Sequence, residues 1–170
     1  MKIPSILLLT AMAWLAAPAP AAAQNDAPSI RDPFIGVWKL VSYERKYSDG
    51  RVAYPYGKNA TGRITYDRAG RMSAQLMNPD RPKSSLSTQG IRGASAEDLR
   101  SVMTGFIAYY GTFDVDGANK TVIHHVQSCL LPGWVGTDLK RGYAFSGKRL
   151  TLTVANADGA GVLVWEREPE

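Results

Sequence analysis

From residue 34 to the C-terminus, short runs of alternating side chains recur, each stopped by a tight-turn signal. That rhythm is the mark of a sheet whose strands follow one another in the chain. The run 34–47 carries Trp38, Val41, Tyr43 and Tyr47 and stops at Ser48-Asp49-Gly50. Runs 63–66 and 71–77 flank Asp67-Arg68-Ala69-Gly70, which predicts a hairpin with Gly70 where a positive φ is needed. Runs 109–115 and 121–127 are joined across Asp116-Gly117-Ala118-Asn119, and runs 139–145 and 150–154 across Ser146-Gly147-Lys148. A last run, 162–167, follows Asn156-Ala157-Asp158-Gly159. Eight strands joined in sequence predict an all-β, antiparallel up-and-down barrel, because such a meander closes on itself and leaves no edge exposed. An open sandwich is the competing arrangement.

One segment departs from the rhythm. After a polar, Pro- and Ser-rich loop over 79–95, Leu99, Val102, Met103 and Phe106 recur at helical spacing. Ser95 stands where an N-cap belongs, and Glu97 and Asp98 place acidic groups in the first turn. This predicts one helix of about three turns between the third and fourth strands, its apolar face laid over one end or side of the barrel.

The N-terminus has a different character. Lys2, the apolar stretch through Leu15 and the small residues Ala21-Ala22-Ala23 before Gln24 match a secretory signal peptide. Residues 1–23 are therefore expected to be a cleaved leader, 24–33 a linker, and 34–170 a single barrel domain. The apolar run falls short of the roughly 20 residues that span a bilayer, so no integral membrane segment is expected after cleavage. The protein is expected to be periplasmic or secreted. The lone Cys129 allows no internal disulfide and reads as a small buried hydrophobe. A net charge of +5 is spread singly along the chain rather than massed, which argues against nucleic acid as a partner.

Gly36-Val37-Trp38 resembles the G-x-W signature with which lipocalins open their barrel. A longer set of segments is similar to the bacterial and fungal lipocalin-like domain family. These are Tyr54-Pro55-Tyr56-Gly57, Gly62-Arg63-Ile64-Thr65-Tyr66, Met72 through Met77, Ile107 through Phe113, Ile123-His124-His125-Val126 and Pro132 through Thr137. The resemblance implies a lipocalin-like barrel with a cavity and no agreed reaction. It also implies that Trp38 closes the barrel floor and that Arg167 stacks on it, a cation–π contact worth roughly 0.5–2 kcal/mol. An exported leader is a departure from the family's usual pattern.

Residues able to do chemistry are few. His124 and His125 are adjacent, so on a strand they point to opposite faces and cannot share one metal ion. Whichever faces inward is a candidate acid/base group or polar handle. With two histidines and one cysteine, no metal site of the usual composition is expected. No cofactor is expected either, because the chain lacks a phosphate loop, a dinucleotide fingerprint and a nucleophile elbow. Tyr54, Tyr56, Tyr66, Tyr109, Tyr110, Trp134 and Tyr143 combine apolar bodies with single polar atoms, which suits a pocket for a mostly apolar guest. On the third strand, Ser73, Gln75 and Met77 share one face and Met72, Ala74 and Leu76 the other. Both faces are uncharged, so either could turn inward. The candidate ligand-binding residues are Tyr66, Gln75, Met77, His124, His125, Trp134 and Tyr143. The expected partner is a small apolar or amphipathic molecule bound in the barrel. The alternatives are a cofactor-free isomerase or cyclase using a cavity histidine, or a solidly packed interaction module.

Overall fold

The computed structural model describes residues 29–87 and 89–169. The expected leader, and residues 24–28 of the expected linker, lie outside them. The strands are β1 (Gly36–Tyr47), β2 (Val52–Ala53), β3 (Thr61–Tyr66), β4 (Arg71–Met77), β5 (Phe106–Asp116), β6 (Thr121–Cys129), β7 (Asp138–Ser146), β8 (Arg149–Asn156) and β9 (Gly159–Arg167). All pairings are antiparallel. Neighbours pair in chain order from β3 to β9, and β1 pairs with both β3 and β9, which closes an eight-stranded barrel. The two-residue β2 only extends the far end of β1, at Arg45 and Lys46. An open sandwich is excluded by the seam between β1 and β9, which runs from Trp38↔Arg167 to Tyr47↔Gly159.

Local chemistry explains the reversals. Gly70 has φ +79° in the β3–β4 turn, as its position predicts. The Asp67 carboxylate accepts from the Arg71 backbone N–H at 2.9 Å and holds that turn closed.

The helix is shorter than its spacing suggests. It spans Ala96–Met103, one α-helix of eight residues that we call α1. The Ser95 side chain accepts from Asp98 N–H, as an N-cap should. Gly105, at φ +75°, ends the segment, and Phe106 begins β5 instead of extending the helical face. No residue of α1 is fully buried; of the expected apolar face, Leu99 and Val102 are half-buried and Met103 is exposed.

One end of the barrel is solid. Phe34, in the short 3₁₀ turn Asp32–Phe34, is fully buried and meets Tyr66, Tyr143 and Phe145 edge-on at 5.0–5.5 Å. The Trp38 indole N–H donates to the Phe34 carbonyl at 2.8 Å. The Arg167 guanidinium lies 4.1 Å from the Trp38 ring centroid and also donates to the carbonyls of Ile35 and Pro33. The arrangement implied by the resemblance is present. From Ser29 onward the expected linker is tied down, with Arg31 ion-paired to Asp114.

Candidate ligand cavity

Alternation along each strand decides what faces inward. On β4 the buried set is Met72, Ala74 and Leu76. On β5 and β6 it includes Ile107, Tyr109, Phe113, Val122, His124 and Val126. Below, aromatic rings fill the interior. Above them, a cavity of about 370 Å³ remains. That falls in the 300–1,000 Å³ range of pockets for small molecules. Its walls are mainly apolar, with Ile64, Leu76, Ile107, Leu152, Leu163 and Trp165 among them, while Arg45, Asp138, Lys140, Arg141 and Asn156 add polar groups. Tyr43, Tyr56 and Trp134 complete it toward the opposite end from the Phe34 plug, and Trp134 meets Tyr109 edge-on at 6.1 Å.

A polar network is set into this interior. His124 is fully buried, with Nε2 2.8 Å from the Tyr66 hydroxyl and Nδ1 3.0 Å from that of Tyr109. Arg141 donates from Nε to His124 Nδ1 at 3.4 Å and from its terminal nitrogen to the Tyr109 hydroxyl at 3.3 Å. A guanidinium N–H directed at Nδ1 requires that nitrogen to be the acceptor, so the ring proton sits on Nε2 and is donated to Tyr66. Burial holds the His124 imidazolium well out of reach, lowering its pKa, and the charges of Arg141 and His125 act the same way. Burial likewise pushes the Tyr66 phenol well up, reinforced by Tyr109 and opposed by Arg141. Both ends of the imidazole are thus engaged by phenol hydroxyls.

The residues singled out from sequence divide into four groups. Trp134 lines the cavity. Tyr66 and His124 form the polar network at its inner side, while Tyr143 belongs to the Phe34 aromatic cluster. Gln75, Met77 and His125 are on the outer surface of the barrel and cannot meet a guest inside it. For Gln75 and Met77 the register with β5 and the burial of Met72, Ala74 and Leu76 decide the matter. His125 faces outward between two carboxylates, with Nδ1 2.6 Å from Asp138 and Nε2 3.1 Å from Asp114. The net effect raises its pKa: the Asp138 hydrogen bond acts most strongly, burial opposes it, and the Asp114 hydrogen bond adds to the rise.

Arg141 also reaches the cavity, as does Tyr109 from the aromatic set that suits a pocket. The signal for Arg141 is present in the chain. Leu139, Arg141, Tyr143 and Phe145 share one face of β7, so a single charge stands on an otherwise apolar register. The described residues hold no cluster of three potential metal ligands.

A family model described as a lipocalin-like domain matches residues 35–168. Among curated proteins, the 4'-hydroxy-3'-methoxypropiophenone carrier protein of Aspergillus oryzae is 28% identical over 110 residues, covering 58% of this chain and 97% of the relative. Among solved structures, a redesigned β-barrel is 10% identical, with a TM-score of 0.37 over 81% of this chain and 92% of that one. A mutant of the fluorescent protein UnaG is 13% identical, with a TM-score of 0.38 over 81% of this chain and 98% of that one.

Proposed function

Because this chain belongs to the lipocalin-like domain family, we propose that it is an exported carrier that holds a small, mostly apolar molecule in the open half of its barrel. The observation that carries this reading is the cavity itself: about 370 Å³ with apolar walls and a few polar groups set among them. Apolar walls supply affinity in proportion to the guest surface they dry, about 25 cal/mol per Å² before ordering costs. The few polar groups orient the guest. The volume suits a molecule of one or two rings, and the relative described as a carrier takes its name from an aryl ketone of that kind. Aryl ketones with ring oxygens are therefore the class to try first. Export is proposed from the leader alone, the stretch from Lys2 to Ala23.

The enzyme alternative needs an acid/base group free to exchange a proton with the guest. His124 has both nitrogens occupied by Tyr66 and Tyr109, and His125 is on the outside. The cavity likewise favours a carrier over a packed interaction module.

The test is a fluorescence titration of the purified protein with aryl ketones and other lipophilic compounds, read through quenching of the intrinsic tryptophan emission, to which Trp134 and Trp165 in the cavity wall contribute. Leu163→Trp, which fills the cavity from its wall, serves as the blocked control. Saturable binding by the native protein and its loss in the folded Leu163→Trp variant supports the carrier reading. Equal binding by both would place the guest elsewhere, and no binding across the panel would overturn the reading.

A further inference from the structure

The charged groups of the cavity lining are mostly cationic, Arg45, Lys140 and Arg141 against Asp138, while Asn156 and the hydroxyls of Tyr43, Tyr56 and Tyr109 can both donate and accept. Arg141 points inward from β7, half-buried among apolar walls, and no carboxylate of the described residues lies within ion-pairing distance of it. Its two contacts, to His124 Nδ1 and the Tyr109 hydroxyl, are long and go to an imidazole and a phenol. A guanidinium carries five N–H donors, so most of its capacity is unspent. Trp165 lines the same cavity at 1% exposure, and its indole N–H has no acceptor among the described residues. The Nε of Arg45, also in the lining, is buried without a partner among the described residues. Asp138 is the one carboxylate among the lining residues, and it is bonded to His125 on the outer side at 2.6 Å.

A charge held in apolar surroundings without a counter-charge is costly, and so is a buried donor without an acceptor. Both costs are relieved by a guest that brings an anionic oxygen. We infer that Arg141 is the anchor for such an oxygen, a carboxylate, sulfonate or phenolate at one end of an otherwise apolar ligand, with Tyr109 beside it. A planar guanidinium fork suits this task better than an ammonium would, because it meets two oxygens at once. The inference rests on the carrier reading and specifies the chemistry of the guest.

Two fluorogenic dyes of one skeleton separate the two ideas. N-phenyl-1-naphthylamine is neutral, and 1-anilinonaphthalene-8-sulfonate is the same skeleton with an anionic oxygen group. The native protein is expected to bind both, the sulfonate more tightly. Arg141→Met should weaken the sulfonate by roughly tenfold or more while changing the neutral dye by less than about threefold. Tyr109→Phe should weaken the sulfonate more mildly in the same direction, and Lys148→Met, in the exposed β7–β8 turn outside the cavity lining, should leave both dyes unchanged. Arg141→Met removes an unpaired charge from an apolar site, so the variant is expected to fold. If the native protein binds the neutral dye but not the sulfonate, or if Arg141→Met weakens both equally or neither, the anchor is overturned and the carrier reading stands. If neither dye binds the native protein, both ideas fail together.

Discussion

Adjacent side chains on β6 carry opposite electrostatic consequences. Burial keeps His124 neutral in the folded protein, so its folded pKa lies well below the unfolded value of about 6.5. Its contribution is complete above that pH and is lost as pH falls toward the folded value, by up to about 1.4 kcal/mol per pH unit. His125 behaves in reverse, because Asp138 and Asp114 raise its pKa in the folded state. Its contribution is complete below about pH 6.5 and is lost as pH rises through the raised folded value. Thermal midpoints measured from pH 5 to 9 should therefore flatten on the acid side in His124→Gln and on the alkaline side in His125→Gln. Identical pH slopes in both variants would show that these environments are misassigned. At the barrel floor, Arg167→Leu removes the contact with Trp38 and two hydrogen bonds to carbonyls. Urea unfolding should show a loss of about 2–4 kcal/mol, and a loss below about 0.5 kcal/mol would mean the stack is incidental.

Two elements differ sharply in how firmly they are held. At the irregularity between Tyr110 and Gly111, β5 comes so close to β6 that a Cβ on Gly111 would lie 1.9 Å from the His125 carbonyl oxygen. Gly111→Ala must push the two strands apart and should cost about 1–3 kcal/mol or more, read as a lowered unfolding midpoint. An unchanged midpoint would argue that the pair can slide freely. The helix α1 sits at the other extreme, since none of its residues is fully buried and its N-cap is Ser95. Ser95→Ala should speed amide exchange over residues 96–103 by roughly fivefold, as about 1 kcal/mol of capping is lost, while the global midpoint stays put. A comparable drop in the global midpoint would mean that the helix is integral to the barrel. Its cap was readable because Ser followed by acidic residues is a local signal. Its end was not, because Phe106 continues the helical spacing while belonging to β5.

At the scale of the molecule, the turn rhythm told the architecture because each strand pairs with the next, and only the two-residue β2 left no trace in it. The site was less legible. Alternation places His124 and His125 on opposite faces, but it does not say which is inside until a neighbouring strand sets the register. On β4 the uncharged faces of Gln75 and Leu76 were equally plausible, and burial chose Leu76. Arg141 was readable in principle, as a charge on the Leu139–Tyr143 register, but a lone arginine on a strand ordinarily faces solvent. What emerges is a barrel packed solid around Phe34 and hollow above Tyr66, with unspent donors in the hollow. The indole N–H signals of Trp38, Trp134 and Trp165, followed in a two-dimensional ¹H–¹⁵N spectrum during titration with N-phenyl-1-naphthylamine, report on both halves at once. Guest binding in the hollow half should move the Trp134 and Trp165 signals and leave Trp38, bonded to Phe34 beneath the floor, in place. Movement of none of them, or of Trp38 alone, would contradict a ligand cavity above the floor.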